Sequence, residues 1–320
     1  MRESLGTDST QNWRNSMQTE ISVIVLNYCS FNDTQNLVAQ LVGLGDNIRI
    51  IIVDNNSPDG SYDLLQDKFE SYDNIDLIQN HYNSGYASGN NVGIRYALET
   101  HKSPYIAIMN PDIEVAEDYF RNMMGYLEAD PKIAAITGIM LDYYGSLDIA
   151  SIAWKIPTNF DDVFLSSGLL KRIYNPVAYS KFSNTNPVNP GIFYVDTIPG
   201  SCFVIRSAVL EKIDLLDEKT FLYCEERILA KKVRDLGQTN AISVNDTFIH
   251  KHVEKKHNLK RALQHYYWLS TSRLYYNMNY SNLGKVSFIF LPLIMLSILL
   301  GFTEVIFVHL IRRVRLLVKS

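Results

Sequence analysis

Short runs of consecutive apolar residues alternate along the first third of the chain with stretches whose apolar positions recur every three or four residues. Ile21–Leu26, Ile48–Val53, Ile75–Ile78 and Tyr105–Met109 are apolar runs of strand length. Between them, Thr34–Leu44, Tyr62–Tyr72 and Ala87–Glu99 carry helical periodicity. Strands separated by helices of roughly 10–15 residues predict crossover units and a parallel sheet. Near-continuous apolar strands predict helices on both faces of that sheet. The expected class is therefore α/β. Three of the runs end in polar residues: Asn27, Asp54, and the pair Asn110 and Asp112. In a parallel sheet these ends share one edge, where ligands of open α/β sheets bind.

The pattern weakens further on. Val115–Ala129 reads as a helix stopped by Asp130 and Pro131, and Tyr143–Gly191 has no sustained period. Val195–Ile205 is strand-like around Gly200. Ser207–Ile213 and Glu225–Leu236 read as helices, the second closed by Gly237, as glycine commonly closes helices. Ala241–His250 reads as a last strand and Lys260–Asn279 as a helix rich in aromatic residues.

The C-terminal segment is different in kind. Val286–Thr303 has no charged residue; Glu304, Val305–Val308 and then Arg312, Arg313, Arg315 and Lys319 follow. Val286–Ile311 is long enough to cross a bilayer. A single span with the preceding domain inside the cell would put the basic end outside, against the positive-inside bias. Pro292, Gly301 and Glu304 also interrupt the run. A monotopic or re-entrant arrangement, its basic end on anionic lipid, is the favoured expectation over a single span. A buried dimerisation helix, and hence a homodimer, is the non-membrane alternative.

Composition narrows the class. The chain has 320 residues, 47% hydrophobic and 20% charged, which is ordinary globular composition. A net charge of -4 gives no electrostatic reason to expect a nucleic-acid partner. Cys29, Cys202 and Cys224 lack metal-finger spacing and fit a reducing compartment. Residues 1–19 are polar, without the apolar core of a signal peptide, so the folded domain is expected in the cytosol.

Five constellations carry candidate chemistry. Asn110-Pro111-Asp112 ends a buried strand with a carboxylate suited to a divalent cation, although the same three residues are common turn chemistry. Asp54, at the end of the second run, suits a nucleobase or ribose, while Ser57 or Asp59 suits a helix cap. Gly85, Gly89 and Gly93 lie four apart in an Asn- and Gly-rich segment, Asn83–Gly93, and allow close approach of a backbone or a ligand. Glu225 and Glu226 open a helix; the helix dipole favours acids there, and one of two adjacent acids suits general-base work. His250 and His252 share one face of the last strand and, with His257, lie in a basic stretch that offers too few ligands for zinc.

Taken in order, these segments resemble family 2 glycosyltransferases, especially the bacterial rhamnosyltransferase-like branch, over roughly Ile21 to His257. Ser22–Tyr28 resembles the family's opening strand, Ile52–Ser57 its nucleotide-binding strand end, and Asn83–Gly93 its Asn- and Gly-rich segment. Asn110-Pro111-Asp112 stands where the family has its metal-binding Asp-x-Asp. Gly200–Arg206, Leu216–Glu218 and Phe221–Glu226 resemble the acceptor-side block. The resemblance implies a GT-A fold at 20–258, with a nucleotide half to about 112 and an acceptor half from 113, followed by a membrane-associating helical region at 259–320. It implies inverting transfer of a sugar, rhamnose in this branch, from a dTDP- or UDP-linked donor with Mg2+ or Mn2+. By position Asn27, Tyr28, Asp54, Asn83, Gly85, Asn90 and Asn110 would bind the nucleotide sugar. Asp112 would bind the metal, assisted by Asn110 and His250. Glu226 would be the base, with Glu225 as the fallback. The acceptor implied is a lipid-linked glycan used in surface polysaccharide synthesis, reached at the cytoplasmic face of the membrane.

Two departures from the family pattern matter. Asn110 replaces the first aspartate of the metal motif, and Glu226 replaces the usual aspartate base. Two other classes stay open. A nucleotidyltransferase would want a basic loop near the N-terminus, and Asn27–Thr34 has no Lys or Arg. A sugar-nucleotide-binding scaffold without catalysis is compatible with Asn110.

Overall fold

The computed structural model describes residues 20–45, 47–147, 152–174, 189–251, 258–281 and 287–319, with side chains in the last segment described for 289–311. The polar extension 1–19 and both His252 and His257 lie outside the described residues. A nine-stranded mixed sheet forms the frame, ordered β3-β2-β1-β4-β8-β6-β9-β5, with β7 also paired to β9. The first half follows the apolar runs: β1 (Ile21–Asn27), β2 (Ile48–Asp54), β3 (Ile75–Gln79) and β4 (Tyr105–Met109). Among them β1 pairs in parallel with both β2 and β4, and β2 with β3. In the second half β8 (Cys202–Arg206) runs antiparallel to β4, which makes the sheet mixed.

Apolar side chains cover both faces of the sheet. On one side α1 (Phe31–Val42), α2 (Ser61–Phe69) and α4 (Tyr119–Ala129) bury Leu37, Leu41, Leu65, Phe69, Tyr119 and Met123 against the strands. On the other, α3 (Tyr86–Tyr96), α7 (Ser207–Lys212) and α8 (Glu225–Asp235) bury Ala87, Ile94, Leu210, Leu229 and Val233. Gly93 and Gly89 let α3 sit close on the sheet. An added Cβ would stand 2.7 Å from Ile24 at Gly93 and 2.6 Å from Leu26 at Gly89.

The second half departs from the sequence expectation in four places. The helix read from Val115 begins at Tyr119, because Ile113–Val115 pairs with β9 (Thr239–His250) as a short strand, β5. Ile133–Leu141 forms β6, unannounced because its Ala and Gly residues are depleted in strands. Val195–Ile205 divides at Gly200 into the end of β7 (Ile192–Val195) on β9 and β8 between β4 and β6. The stretch read as aperiodic holds two helices, α5 (Asn159–Leu165) and α6 (Gly168–Ile173), each too short to display a helical repeat. Two long C-terminal helices, α9 (Leu259–Asn279) and α10 (Ser287–Lys319), pack on each other and on α5.

Strand β9 contains a bulge that matters for the site. Its register against β6 jumps from Thr137↔Ile242 to Ile139↔Thr247. Gly138 makes room: a Cβ there would lie 2.7 Å from the Asp246 carbonyl oxygen. Bulges bend a strand and re-aim its end, and this one carries the end of β9 to β5.

Candidate active site

The polar strand ends meet on one edge. Asn27 and Asp54 are register partners. Asn27 Nδ2 donates to Asp54 Oδ1 at 2.7 Å and to Ser57 Oγ at 3.2 Å. Thr34 donates to Asn27 Oδ1 at 2.8 Å, and the Ser57 N–H donates to Asp54 Oδ2 at 2.9 Å. Both side chains are fully buried, so this network shapes the edge from beneath. Tyr28, about half exposed, stands on the solvent side, and Cys29 after it takes a left-handed conformation (φ 52°). Asn55 extends the network: it accepts from Asn80 at 3.0 Å and donates to Asn83 Oδ1 at 3.0 Å.

Gly85 is required where it stands. Its φ is +108°, and a Cβ would lie 2.2 Å from the Phe221 carbonyl oxygen. The next residue, Tyr86, donates its backbone N–H to that same carbonyl at 3.0 Å. The Asn- and Gly-rich segment is thereby joined directly to the loop that carries the acids. Asn90 is fully buried, with Nδ2 donating to Tyr86 O at 3.0 Å and Oδ1 left without a hydrogen bond.

The third strand end leads to the candidate metal ligands. Asn110 N–H donates to Ser201 O at 2.8 Å, Pro111 turns the chain, and Ile113 pairs with His250. Lys251 N–H donates to Asp112 O at 2.8 Å. This backbone pairing sets His250 Nε2 3.2 Å from Asp112 Oδ1, each side chain being about one-fifth exposed. Among the described residues no group of three or more His, Cys, Asp or Glu side chains converges on one point. The donors present fit an oxygen-seeking cation that takes one carboxylate and one imidazole from the protein and its other ligands from a diphosphate and water.

The acids lie at the start of α8. Tyr223 (φ 74°) and Cys224 (φ 70°) precede them, both in the left-handed region. Such backbone costs about 1–3 kcal/mol per residue and persists where the surroundings over-determine it. Helix α9 does that here. Tyr223 OH lies 2.8 Å from His265 Nδ1, Ser272 donates to Leu222 O at 2.8 Å, and the Phe221 ring lies against Trp268 at 4.6 Å. Glu226 packs on Gly200, where a Cβ would stand 3.0 Å from its Oε1. Tyr86 OH donates to Gly200 O, and its hydroxyl is pushed well above its ordinary pKa by burial and by the nearby Glu226 and Glu225.

The two glutamates differ in environment. Burial first, and the charge of Glu226 second, push the Glu225 carboxyl well above the usual range; its Oε1 is buried without a hydrogen bond. Burial also raises Glu226, but backbone N–H groups and Arg227 oppose the rise. Burial therefore raises both carboxyls, and the groups that favour the charged form gather at Glu226. Tyr86, Tyr223, His265 and Trp268 were not singled out from sequence. The first two lie inside quoted motifs, and the last two belong to the helix whose aromatic richness is visible.

A mixed sheet whose polar strand ends are joined through Gly85, Tyr86 and Phe221 to a buried acid pair defines a GT-A glycosyltransferase fold. The model of glycosyl transferase family 2 matches residues 22–213, and the chain belongs to that family. It is 30% identical over 245 residues, 73% of this chain and 69% of the relative, to the low-salt glycan biosynthesis hexosyltransferase Agl10 of Haloferax volcanii. A 94-residue stretch is 29% identical to the minor teichoic acid biosynthesis protein GgaB of Bacillus subtilis, covering 29% of this chain and 10% of that protein. In structure it is similar to the mannosyltransferase PcManGT from Pyrobaculum calidifontis, solved with GDP-Man and Mn2+ (TM-score 0.55, 13% identity, 87% of this chain and 73% of that one). It is similar also to GalNAc-T7 with UDP, GalNAc and Mn2+ (TM-score 0.56, 12% identity, 73% of this chain and 44% of that one).

Proposed function

We propose that this glycosyltransferase moves a hexose, rhamnose by resemblance to its branch, from a nucleoside-diphosphate donor to a lipid-linked glycan with inversion. The observation that carries the reading is the acid pair at the start of α8, joined through Gly85, Tyr86 and Phe221 to the nucleotide edge. Asn27 and Asp54 shape that edge, and Tyr28, Asn83 and Asn90 border the donor. Asp112, His250 and Asn110 would hold Mg2+ or Mn2+, which when bound supplies positive charge to the leaving diphosphate. Glu226 removes the proton of the acceptor hydroxyl as its oxygen bonds to the anomeric carbon, and the bond from that carbon to the diphosphate breaks on the opposite face. Glu225, one residue earlier, is the fallback base. The hexosyltransferase activity in Agl10's name and the nucleotide sugar bound to PcManGT support the donor class. The apolar α10 supports work at a membrane, which we place at its cytoplasmic face, beside a lipid-linked acceptor.

Nucleotide release from a panel of dTDP-, UDP- and GDP-sugars, with Mg2+ or Mn2+, tests the reading in wild type, Asp112→Ala and Glu226→Gln. Loss of turnover in both variants supports it; wild-type turnover in both sinks the site assignment. A sugar-nucleotide-binding scaffold is the second reading, favoured by Asn110 in the metal motif. It would bind a donor without releasing nucleotide.

A further inference from the structure

Helix α10 has two unlike faces. Ile294, Ser297, Ile298 and Gly301 are buried against the domain. The contact at Gly301 is close: a Cβ would fall 1.9 Å from the Tyr266 hydroxyl, which itself donates to Ile298 O at 3.1 Å. The opposite face is open, with Ile289, Leu296, Leu299 and Phe307 each more than 60% exposed. Among the described residues, Ile289–Ile311 alone has the length and composition of a membrane span.

Glu304 is the one acidic residue in that run, and the structure gives it a job. It accepts from Ser167 Oγ at 2.5 Å and from the Gly168 N–H at 2.7 Å, capping α6. The middle of α10 is therefore fixed to the α5–α6 hairpin. That hairpin also has an apolar side: Phe160 (49% exposed), Leu169 (51%) and Ile173 (77%). It is continuous with α10, because the Phe160 ring meets Phe290 at 6.2 Å and Tyr174 at 5.9 Å. Lys171 and Arg172, both exposed, close α6 beside Ile173.

We propose that the α5–α6 hairpin is a second membrane-embedding element, and that α10 lies along the bilayer surface beside it. The proposal rests on the reading that the enzyme works at a membrane. A perpendicular α10 would put Gly301 and Glu304 near the bilayer centre. Their partners in the hairpin would have to follow, taking Asp161, Lys171 and Arg172 into hydrocarbon, where each charge costs several kcal/mol. Lying flat, α10 and α6 sink their open apolar faces into the acyl boundary while Lys171 and Arg172 meet anionic headgroups.

Purified full-length protein is floated with phosphatidylcholine vesicles that contain or lack phosphatidylglycerol. Wild type binds the anionic vesicles more strongly. Ile173→Glu, at a site too exposed to disturb folding, weakens partition at least about tenfold, the loss expected from keeping one isoleucine in water. The double change Lys171→Glu with Arg172→Glu removes the preference for anionic lipid. An environment-sensitive dye on Ile173→Cys, in a Cys29→Ser background, shifts to the blue on vesicle binding, as does one on Phe307→Cys. A shift at 307 without one at 173 overturns the proposal. So does protection of the C-terminus from protease added outside, or an Ile173→Glu change that dissociates a dimer and leaves vesicle binding intact. Nucleotide release measured in detergent reports the transferase reading separately, so the two fail independently.

Discussion

Asp162 offers the sharpest test of how the helix that carries the acid pair is held. Its carboxylate is fully buried. Arg227 reaches it at 3.1 to 3.3 Å, Arg273 Nε lies 3.2 Å away, and Asn277 donates to it at 2.7 Å. Arg227 also lies over the Tyr276 ring, 4.2 Å from its centroid. One aspartate on α5 thus ties α8, one residue past Glu226, to α9. Asp162→Asn keeps the shape and removes the charge, leaving two buried guanidinium groups without a counter-ion. Breaking a buried pair from one side costs about 3–5 kcal/mol. A domain of this size loses roughly 2–4 °C per kcal/mol, so the melting temperature should fall by about 10 °C. Asp161→Asn is the control next door. Asp161 completes a capping box with Thr158, and its loss should cost about 1 kcal/mol. Thermal and urea unfolding of both variants, with turnover at a temperature where both are folded, makes the comparison. If Asp162→Asn costs no more than Asp161→Asn, the cluster does not act as a buried ion pair and the argument fails.

Three further outcomes follow from the site. Glu226→Gln should lower kcat by about 100-fold or more with donor affinity little changed, since it removes a proton acceptor and leaves the nucleotide edge intact; a parallel loss in donor binding by calorimetry would contradict this. Gly85→Ala should weaken both donor binding and folding by more than about 1 kcal/mol, because φ is +108° and the new Cβ meets the Phe221 carbonyl; a melting temperature equal to wild type would refute it. The Glu225 carboxyl is raised by burial and by Glu226, so its protonated form favours the fold: that contribution is full in acid and is lost as pH rises through the raised value. Glu225→Gln should therefore gain stability relative to wild type as pH rises above the ordinary carboxylate range, read from melting curves across pH; a constant difference would count against the assignment.

Much of the site was legible because its parts sit at strand ends. Asn27, Asp54 and Asn110 each follow an apolar run, and a parallel sheet delivers such ends to one edge. Gly85 was legible as a place of close approach, though not that Phe221 approaches it. Asp112 and His250 were nameable as separate candidates. Their 3.2 Å meeting depends on the β9 bulge and on β5, neither of which leaves a pattern in the sequence.

Sequence alone determined the class of fold and where along the chain its first four strands lie, because near-neighbour hydrophobic repeats encode strand and helix within a few residues. It also fixed the family, through segments whose residue types and order recur. Only the tertiary structure decided what the charged residues do. Asp162 lay in a stretch that read as loop; burial and two arginines from distant helices make it a structural anion. Glu304 read as an interruption of an apolar helix and turned out to cap another. The ionisation of a carboxylate depends on the water it loses and the partners it gains, and both come from chain remote in sequence. Glu225 and Glu226 are neighbours with the same side chain, yet only the structure shows Glu225 Oε1 buried without a hydrogen bond and Glu226 packed on Gly200.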